Sequence, residues 1–247
     1  MKKIIFILMC LVSLTTSAQH SNKFFSTEKT DSPITVGIRG GINISTLTEG
    51  DENNFNSRAN FHAGFVVDVP IVKSLSLQSG LYYTIKGFNS QQQFSTEEID
   101  REYFSFYNIK SDAKATLRYI EMPILASYHY DFNDAIQLQF NVGPYIAYGV
   151  GGKAKRTIDT NGYYGFYDIN GEKHAKEYVL SHDEQEDKFF DYDYANRFDA
   201  GLYIGAGIMF SKHIYFGVAY EMGFTSIIDD MDGYKNRNLT ISVGYQF

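Results

Sequence analysis

Ser127, His129 and Asp131 stand at alternate positions of one segment. A hydroxyl, an imidazole and a carboxylate are the parts of a nucleophile, its base and the group that orients the base. Alternate residues of an extended chain are about 7 Å apart, too far for the close chain of hydrogen bonds that such a triad needs. The run His182-Asp183-Glu184-Gln185-Glu186-Asp187 offers the oxygen ligands that calcium takes. Its spacing matches no cation-binding loop, however, and a solvated charge run explains it better. Arg39, Glu121 and Glu221 lie near the middle of three separate segments. If those segments met, the guanidinium would satisfy the two carboxylates. There is no Walker loop, no zinc-ligand spacing and no His-Glu-x-x-His. The residue types therefore point away from an enzyme, and no catalytic residue, cofactor or metal ligand is expected.

Any of these groups must be positioned by the segments that carry them, and those segments alternate with period two. From Thr35 onward every second residue is apolar over stretches of about 9 to 15 residues, the pattern of a strand with two unlike faces. Eight such segments fall near 35–45, 60–69, 74–87, 116–130, 135–151, 197–210, 214–225 and 238–247. In the last, Leu239, Ile241, Val243, Tyr245 and Phe247 share one face, while Thr240, Ser242, Gly244 and Gln246 share the other. Arg39, Glu121 and Glu221 all fall on polar faces. So do Gly37, Gly41, Gly64, Gly80, Gly143, Gly149, Gly201, Gly205, Gly207, Gly217, Gly223 and Gly244, with Gly40 the main exception.

This bias decides which face points inward. A soluble sandwich fills its inner face with apolar bulk. A narrow barrel has an interior with room for few side chains and alternates small with large. Here the bulky apolar face must point outward, so the solvent is lipid. The connections alternate too, being short after segments two, four and six and long at 45–59, 88–115, 153–195 and 226–237. The expected fold is an all-β, eight-stranded antiparallel transmembrane up-and-down β-barrel, with both termini periplasmic and the long loops extracellular.

Residues 1–18 read as a signal peptide: Lys2 and Lys3, the apolar run Ile4 to Leu14, then Thr16-Ser17-Ala18 before a cut at Gln19. Residues 19–33 form an N-terminal periplasmic arm and 34–247 the barrel. The single Cys10 leaves with the signal, so no disulfide staples the mature chain. The apolar run is about half the roughly 20 residues of a membrane-spanning helix, which excludes a helical membrane protein. A formal charge of −7 for the 247 residues argues against a nucleic-acid partner. Without the signal the charge is −9, and the four long connections carry −2, −2, −4 and −1 of it. The wall is left neutral, as lipid requires.

Several stretches resemble the outer-membrane β-barrel domain that recurs in Bacteroidota, often labelled porin family and similar in layout to the OmpA-like barrels. They are Gly37-Ile38-Arg39-Gly40-Gly41-Ile42-Asn43, Tyr119-Ile120-Glu121-Met122-Pro123, Gly143-Pro144-Tyr145, Asp199-Ala200-Gly201-Leu202 and Gly244-Tyr245-Gln246-Phe247. The resemblance implies insertion by the outer-membrane assembly machinery and implies little about activity. The chain departs from it in having no Trp for the interfacial girdles and in the length of its third loop.

That third loop is the richest segment. Tyr163 to Leu180 reads as a hairpin about Asn170-Gly171, too polar for lipid and so standing above the membrane. Tyr163, Tyr164, Tyr167, Tyr192 and Tyr194 are candidate contacts for an extracellular glycan or protein, since Tyr combines area with a hydrogen bond. Phe189 and Phe190 suit either such a contact or an interfacial girdle. Pro123 and Pro144 each delete a ladder bond and are expected to share one bulge. The functional expectation is a monomer amid outer-membrane lipid and lipopolysaccharide, with a structural or surface-interaction role carried by its loops. The alternative is a narrow porin for passive diffusion of small solutes, although at eight strands an interior is only wide enough for side chains to fill.

Overall fold

The computed structural model describes residues 25–30, 32–48, 55–100, 103–168, 170–191, 195–229 and 233–247. The expected signal peptide and its cleavage site lie outside them. Nine strands occur among the described residues: β1 (Thr35–Thr48), β2 (Phe55–Val72), β3 (Leu75–Ile99), β4 (Tyr103–Asn133), β5 (Ile136–Tyr167), β6 (Lys173–Asp187), β7 (Phe198–Phe210), β8 (Ile214–Ser226) and β9 (Lys235–Gln246). Each pairs antiparallel with its neighbour, and β9 closes on β1 with Ile42 opposite Ile241. The ring β1-β2-β3-β4-β5-β7-β8-β9 is an eight-stranded antiparallel barrel.

The outer wall is what the period-two pattern requires. Ile38, Ile42, Phe65, Leu81, Ile124, Val142, Ile204, Phe216, Val218, Ile241 and Val243 are all exposed on it. The opposite parity of each strand faces a lumen of polar side chains and glycines. Tyr215 shows why glycine is needed there: its side chain lies across Gly207 and Gly217, where an added Cβ would stand 2.4 Å from a ring carbon and 2.2 Å from the hydroxyl oxygen, respectively. The guanidinium of Arg39 covers that ring at 3.7 Å from its centre.

The ninth strand comes from the long connections. At 88–115 and 153–195 the expectation was long connections, with one hairpin at Tyr163 to Leu180 about Asn170-Gly171. That hairpin is present, and beyond it β3 and β4 continue in register to Ile99 and Phe104 while β5 runs on from the wall to Tyr167. β6 then returns along β5, from Lys173 opposite Tyr167 to Asp187 opposite Ala154. A four-stranded sheet, β3-β4-β5-β6, therefore rises from the rim. Its polar composition kept it out of a count keyed to lipid-facing alternation. The β5–β6 turn is closed by Asp168, whose carboxylate accepts the backbone N–H of Asn170 and Glu172 at 2.9 and 2.8 Å, with Gly171 at φ 79°.

Two further details differ from expectation. Pro123 opposes Tyr145 and the register is unchanged on either side of Pro144, so the prolines share no bulge; the irregularity lies higher, where Val150 is extra between Arg118 and Tyr119. Part of the N-terminal arm is docked on the β2–β3 turn. Ser26 N–H donates to Ser74 Oγ at 3.0 Å and Lys73 pairs with Glu28.

Candidate functional site

The lumen is organised about a lysine that sequence reasoning passed over. Lys86 of β3 is fully buried, and its ammonium lies 2.8 Å from Glu121 of β4, 3.1 Å from Glu221 of β8 and 3.4 Å from Asp199 of β7. Strand tilt explains the meeting: Lys86 pairs with Leu117, two pleat repeats above Glu121, and the slant of the wall brings both to one height. Asp199 also accepts from Asn236 Nδ2 at 2.8 Å and Thr225 Oγ1 at 3.1 Å, and Glu221 from Asn238 Nδ2 at 2.9 Å. The rings of Tyr145 and Tyr119 lie 4.5 and 5.7 Å from the ammonium.

Glu121 and Glu221 are thus brought together, but Arg39 is not the cation between them. Its Nη1 donates to Gln78 Oε1 at 2.8 Å, and its Nη2 has no hydrogen-bond partner among the described residues. Arg39, His62, Gln78, Tyr82, Glu121 and Glu221 line a cavity of about 30 Å³ below the Lys86 layer. That is room for a water or two and for no solute.

Above Lys86 the mouth is filled. Leu47, Leu117, Tyr119, Tyr145 and Ile227 form an apolar cluster that receives Phe189 and Phe190 from the single helical turn Phe189–Asp191. The two phenylalanines are neither girdle nor surface contact but a plug, a role that a non-repeating segment does not announce. Gly149 makes the space, since a Cβ there would stand 2.4 Å from the Phe190 ring. Arg197 fastens it, donating to Phe190 O at 2.9 Å and to Gly149 O at 3.1 Å.

At the short-turn end the spacing argument about Ser127 and His129 fails. Side chains on one face of a strand lean along it, and Ser127 Oγ lies 3.0 Å from His129 Nε2. Ser76 Oγ is 2.8 Å from the same nitrogen and donates to Asp68 at 2.9 Å. The ring's other nitrogen faces Gln137 Oε1 at 3.0 Å, and Asp131 is reached only through Gln137 Nε2 at 2.8 Å. A triad sets its carboxylate behind the imidazole. Here Asp68 sits on the hydroxyl side, where its carboxylate accepts the Ser76 hydrogen bond directly.

The projecting sheet carries the other group of candidates. One face joins Phe104, Phe106, Tyr163, Tyr167 and Tyr178 by ring contacts of 5.4–6.4 Å, with the Lys173 ammonium 5.2 Å over Phe104. Tyr163 and Tyr167 are therefore together, and Tyr164, adjacent to Tyr163 along β5, points to the opposite face. Tyr192 and Tyr194 lie outside the described residues. Phe104, Phe106 and Tyr178 were missed, though their alternation in polar segments was the available signal. Tyr178 and Leu180 are 77% and 80% exposed. Below them Gln93, Asn108, Lys110, Asp159, Asn161 and His182 border a groove of about 510 Å³. Of the acidic run, Glu184 and Glu186 pair with Lys155 and Lys153 at 2.6 and 2.5 Å. The hydrogen bond from His182 to Asp159, and that carboxylate's charge, raise the imidazole pKa above its ordinary value.

The profile of the outer membrane protein beta-barrel domain family matches residues 17–229. No curated protein matches the sequence. Among solved structures the chain is similar to the attachment invasion locus protein Ail of Yersinia pestis, at 14% identity over 87% of this chain and 100% of that one, with a TM-score of 0.35. It is similar also to Neisserial surface protein A, at 10% identity over 87% and 98%, with a TM-score of 0.33. A third is the outer membrane channel DcaP of Acinetobacter baumannii, at 10% identity over 90% and 100%, with a TM-score of 0.24.

Proposed function

The chain belongs to the outer membrane protein beta-barrel domain family, and from that premise we propose that it is a non-enzymatic, non-conducting barrel whose work is surface interaction through the sheet β3-β4-β5-β6. In this reading the termini and short turns are periplasmic, the sheet is extracellular, and the barrel works as a monomer, inserted by the assembly machinery. The observation that carries it is a contrast. The lumen holds a cavity of about 30 Å³ between a lysine–carboxylate layer and Asp68-linked polar groups, whereas the sheet presents Tyr178 and Leu180 almost wholly to solvent. Soluble surfaces rarely leave apolar side chains clustered without use.

The same face names a ligand class. Tyr163, Tyr178 and Phe106 offer flat apolar area, and Gln93, Asn108, Asn161 and Asp159 beside them offer amide and carboxylate hydrogen bonds. Flat area bordered by such groups suits a sugar ring, which has one apolar face and hydroxyls around its edge.

Thr157 opposes Glu184 in the register, so an Asn-Gly turn joining them removes 158–183 and leaves the barrel and its plug intact. The test is a glycan array probed with the full-length protein and with this trimmed form, both in nanodiscs. Binding by the full-length protein that the trimmed form lacks is the expected result. An identical profile for the two sinks the proposal.

A further inference from the structure

The outward positions of β4 and β5 change character where the two strands leave the apolar band. Within the band lie Ile120, Met122 and Ile124 on β4 and Ile146, Tyr148 and Val150 on β5, all but Ile120 well exposed. Immediately above, on the same outward face, come Arg118 and Lys114 of β4 and, with the parity of β5 switched by the extra residue Val150, Lys153 and Lys155. The register puts Lys114 directly opposite Lys155, and Thr116 opposite Lys153. Like charges directly across a ladder destabilise it unless something between them carries the opposite sign.

The protein supplies part of that opposite charge and no more. Glu186 takes Lys153 and Glu184 takes Lys155. Among the described residues, Lys114 and Arg118 have no ion pair, and both are exposed. The strand on the other side does not help either, because Ile85, Gly87 and Asn89 of β3 face Arg118, Thr116 and Lys114. Two unmatched cations, a guanidinium and an ammonium, therefore stand at the edge of the hydrocarbon layer, within reach of a group seated over Thr116.

That edge is where lipid headgroup phosphates lie. Arginine presents a planar fork that pairs two donors with phosphate oxygens, and lysine adds a mobile point charge. We propose that Lys114, Arg118 and Lys153 form a binding site for a phosphate group of an outer-leaflet glycolipid, whose acyl chains run down over Ile120, Met122 and Ile124. The site lies below the proposed sugar-binding face and is separate from it. It rests on the outer-membrane placement with the sheet outermost.

The experiment is native mass spectrometry of the refolded full-length protein, with bisphosphorylated lipid A as the probe. Wild type is expected to retain one lipid A molecule, and the double variant Lys114→Gln with Arg118→Gln to lose about tenfold in affinity, as removal of charge-assisted contacts does. Lys212→Gln, a basic residue at the β7–β8 turn, should leave retention unchanged. Equal retention by the double variant overturns the site, as does equal binding of dephosphorylated lipid A. Displacement by millimolar inorganic phosphate assigns a free-anion site instead and overturns the lipid. Heat-modifiable migration in gels reports insertion separately, so lost lipid A from a variant that migrates as a folded barrel speaks to the site alone.

Discussion

Arg197 and Phe190 hold each other at the mouth of the barrel: the guanidinium donates to the Phe190 carbonyl at 2.9 Å while lying 5.2 Å over the Phe190 ring. A segment that would otherwise be a loop is thereby turned into part of the core. Phe190 is 6% exposed, and Phe190→Ala leaves a cavity between Tyr119 and Gly149. The expected loss is about 3–5 kcal/mol, the usual range for truncating a buried phenylalanine. Gly149→Val should act as strongly by expelling the ring. Urea unfolding in detergent followed by tyrosine fluorescence reads both, and unchanged midpoints would place Phe190 outside the core.

Lys86 should matter more than Arg39. Lys86→Met leaves Glu121, Asp199 and Glu221 facing one another without a cation, and breaking a buried ion pair in this way costs about 3–5 kcal/mol. Arg39→Leu removes one charge-assisted bond, to Gln78, for about 1.5–3 kcal/mol. Adding Glu221→Gln to Lys86→Met should recover part of the loss. The same urea experiment ranks the three, and an Arg39 variant weaker than the Lys86 variant would refute this assignment.

The wall was legible and the lumen was only half so, for one physical reason. Lipid contact forces a strict two-residue period, so the outward set from Ile38 to Val243 and the inward glycines could be read directly. Contacts across the lumen depend instead on strand tilt and stagger, which composition does not encode. Lys86 has the same parity as Gln78 and Thr84 and could have been placed on the inner face, but its height beside Glu121 and Glu221 could not. The Ser127–His129 contact was misjudged because backbone spacing was taken for side-chain spacing. The β5–β6 hairpin was legible from its Asn170-Gly171 turn, but its length, down to Asp187 opposite Ala154, was not, because polar alternation outside the membrane looks like a loop when lipid exposure is the criterion. The plug stayed hidden because a non-repeating segment carries no period.

A filled lumen predicts silence. The refolded protein in a planar lipid bilayer should show no discrete conductance, and Arg39→Ala should show none either, since the Lys86 layer and the Tyr119–Phe190 cluster both lie above the cavity of about 30 Å³. Phe190→Ala alone should also stay closed, because the lysine–carboxylate layer remains. Stepwise openings whose size changes with Arg39→Ala would make the polar inner face a solute filter and restore the diffusion channel.

The projecting sheet should loosen as pH rises beyond the ordinary histidine range. His182 gains a hydrogen bond from its ring to Asp159, with Glu184 and Asp183 adding negative charge nearby, and its folded pKa lies above the ordinary value of 6.5. Because the folded value is raised, the stabilisation is fully present below about pH 6.5. It is lost as pH climbs through the higher folded value. The pair is solvent-exposed, so the effect belongs to the β5–β6 edge and not to the barrel. NMR titration of the His182 ring in nanodiscs should place its midpoint above that of the Asp159→Asn variant. Amide exchange along β6 should quicken over the same interval in wild type and stay level in the variant. Coincident midpoints, or exchange indifferent to pH, would show that Asp159 does not hold this edge.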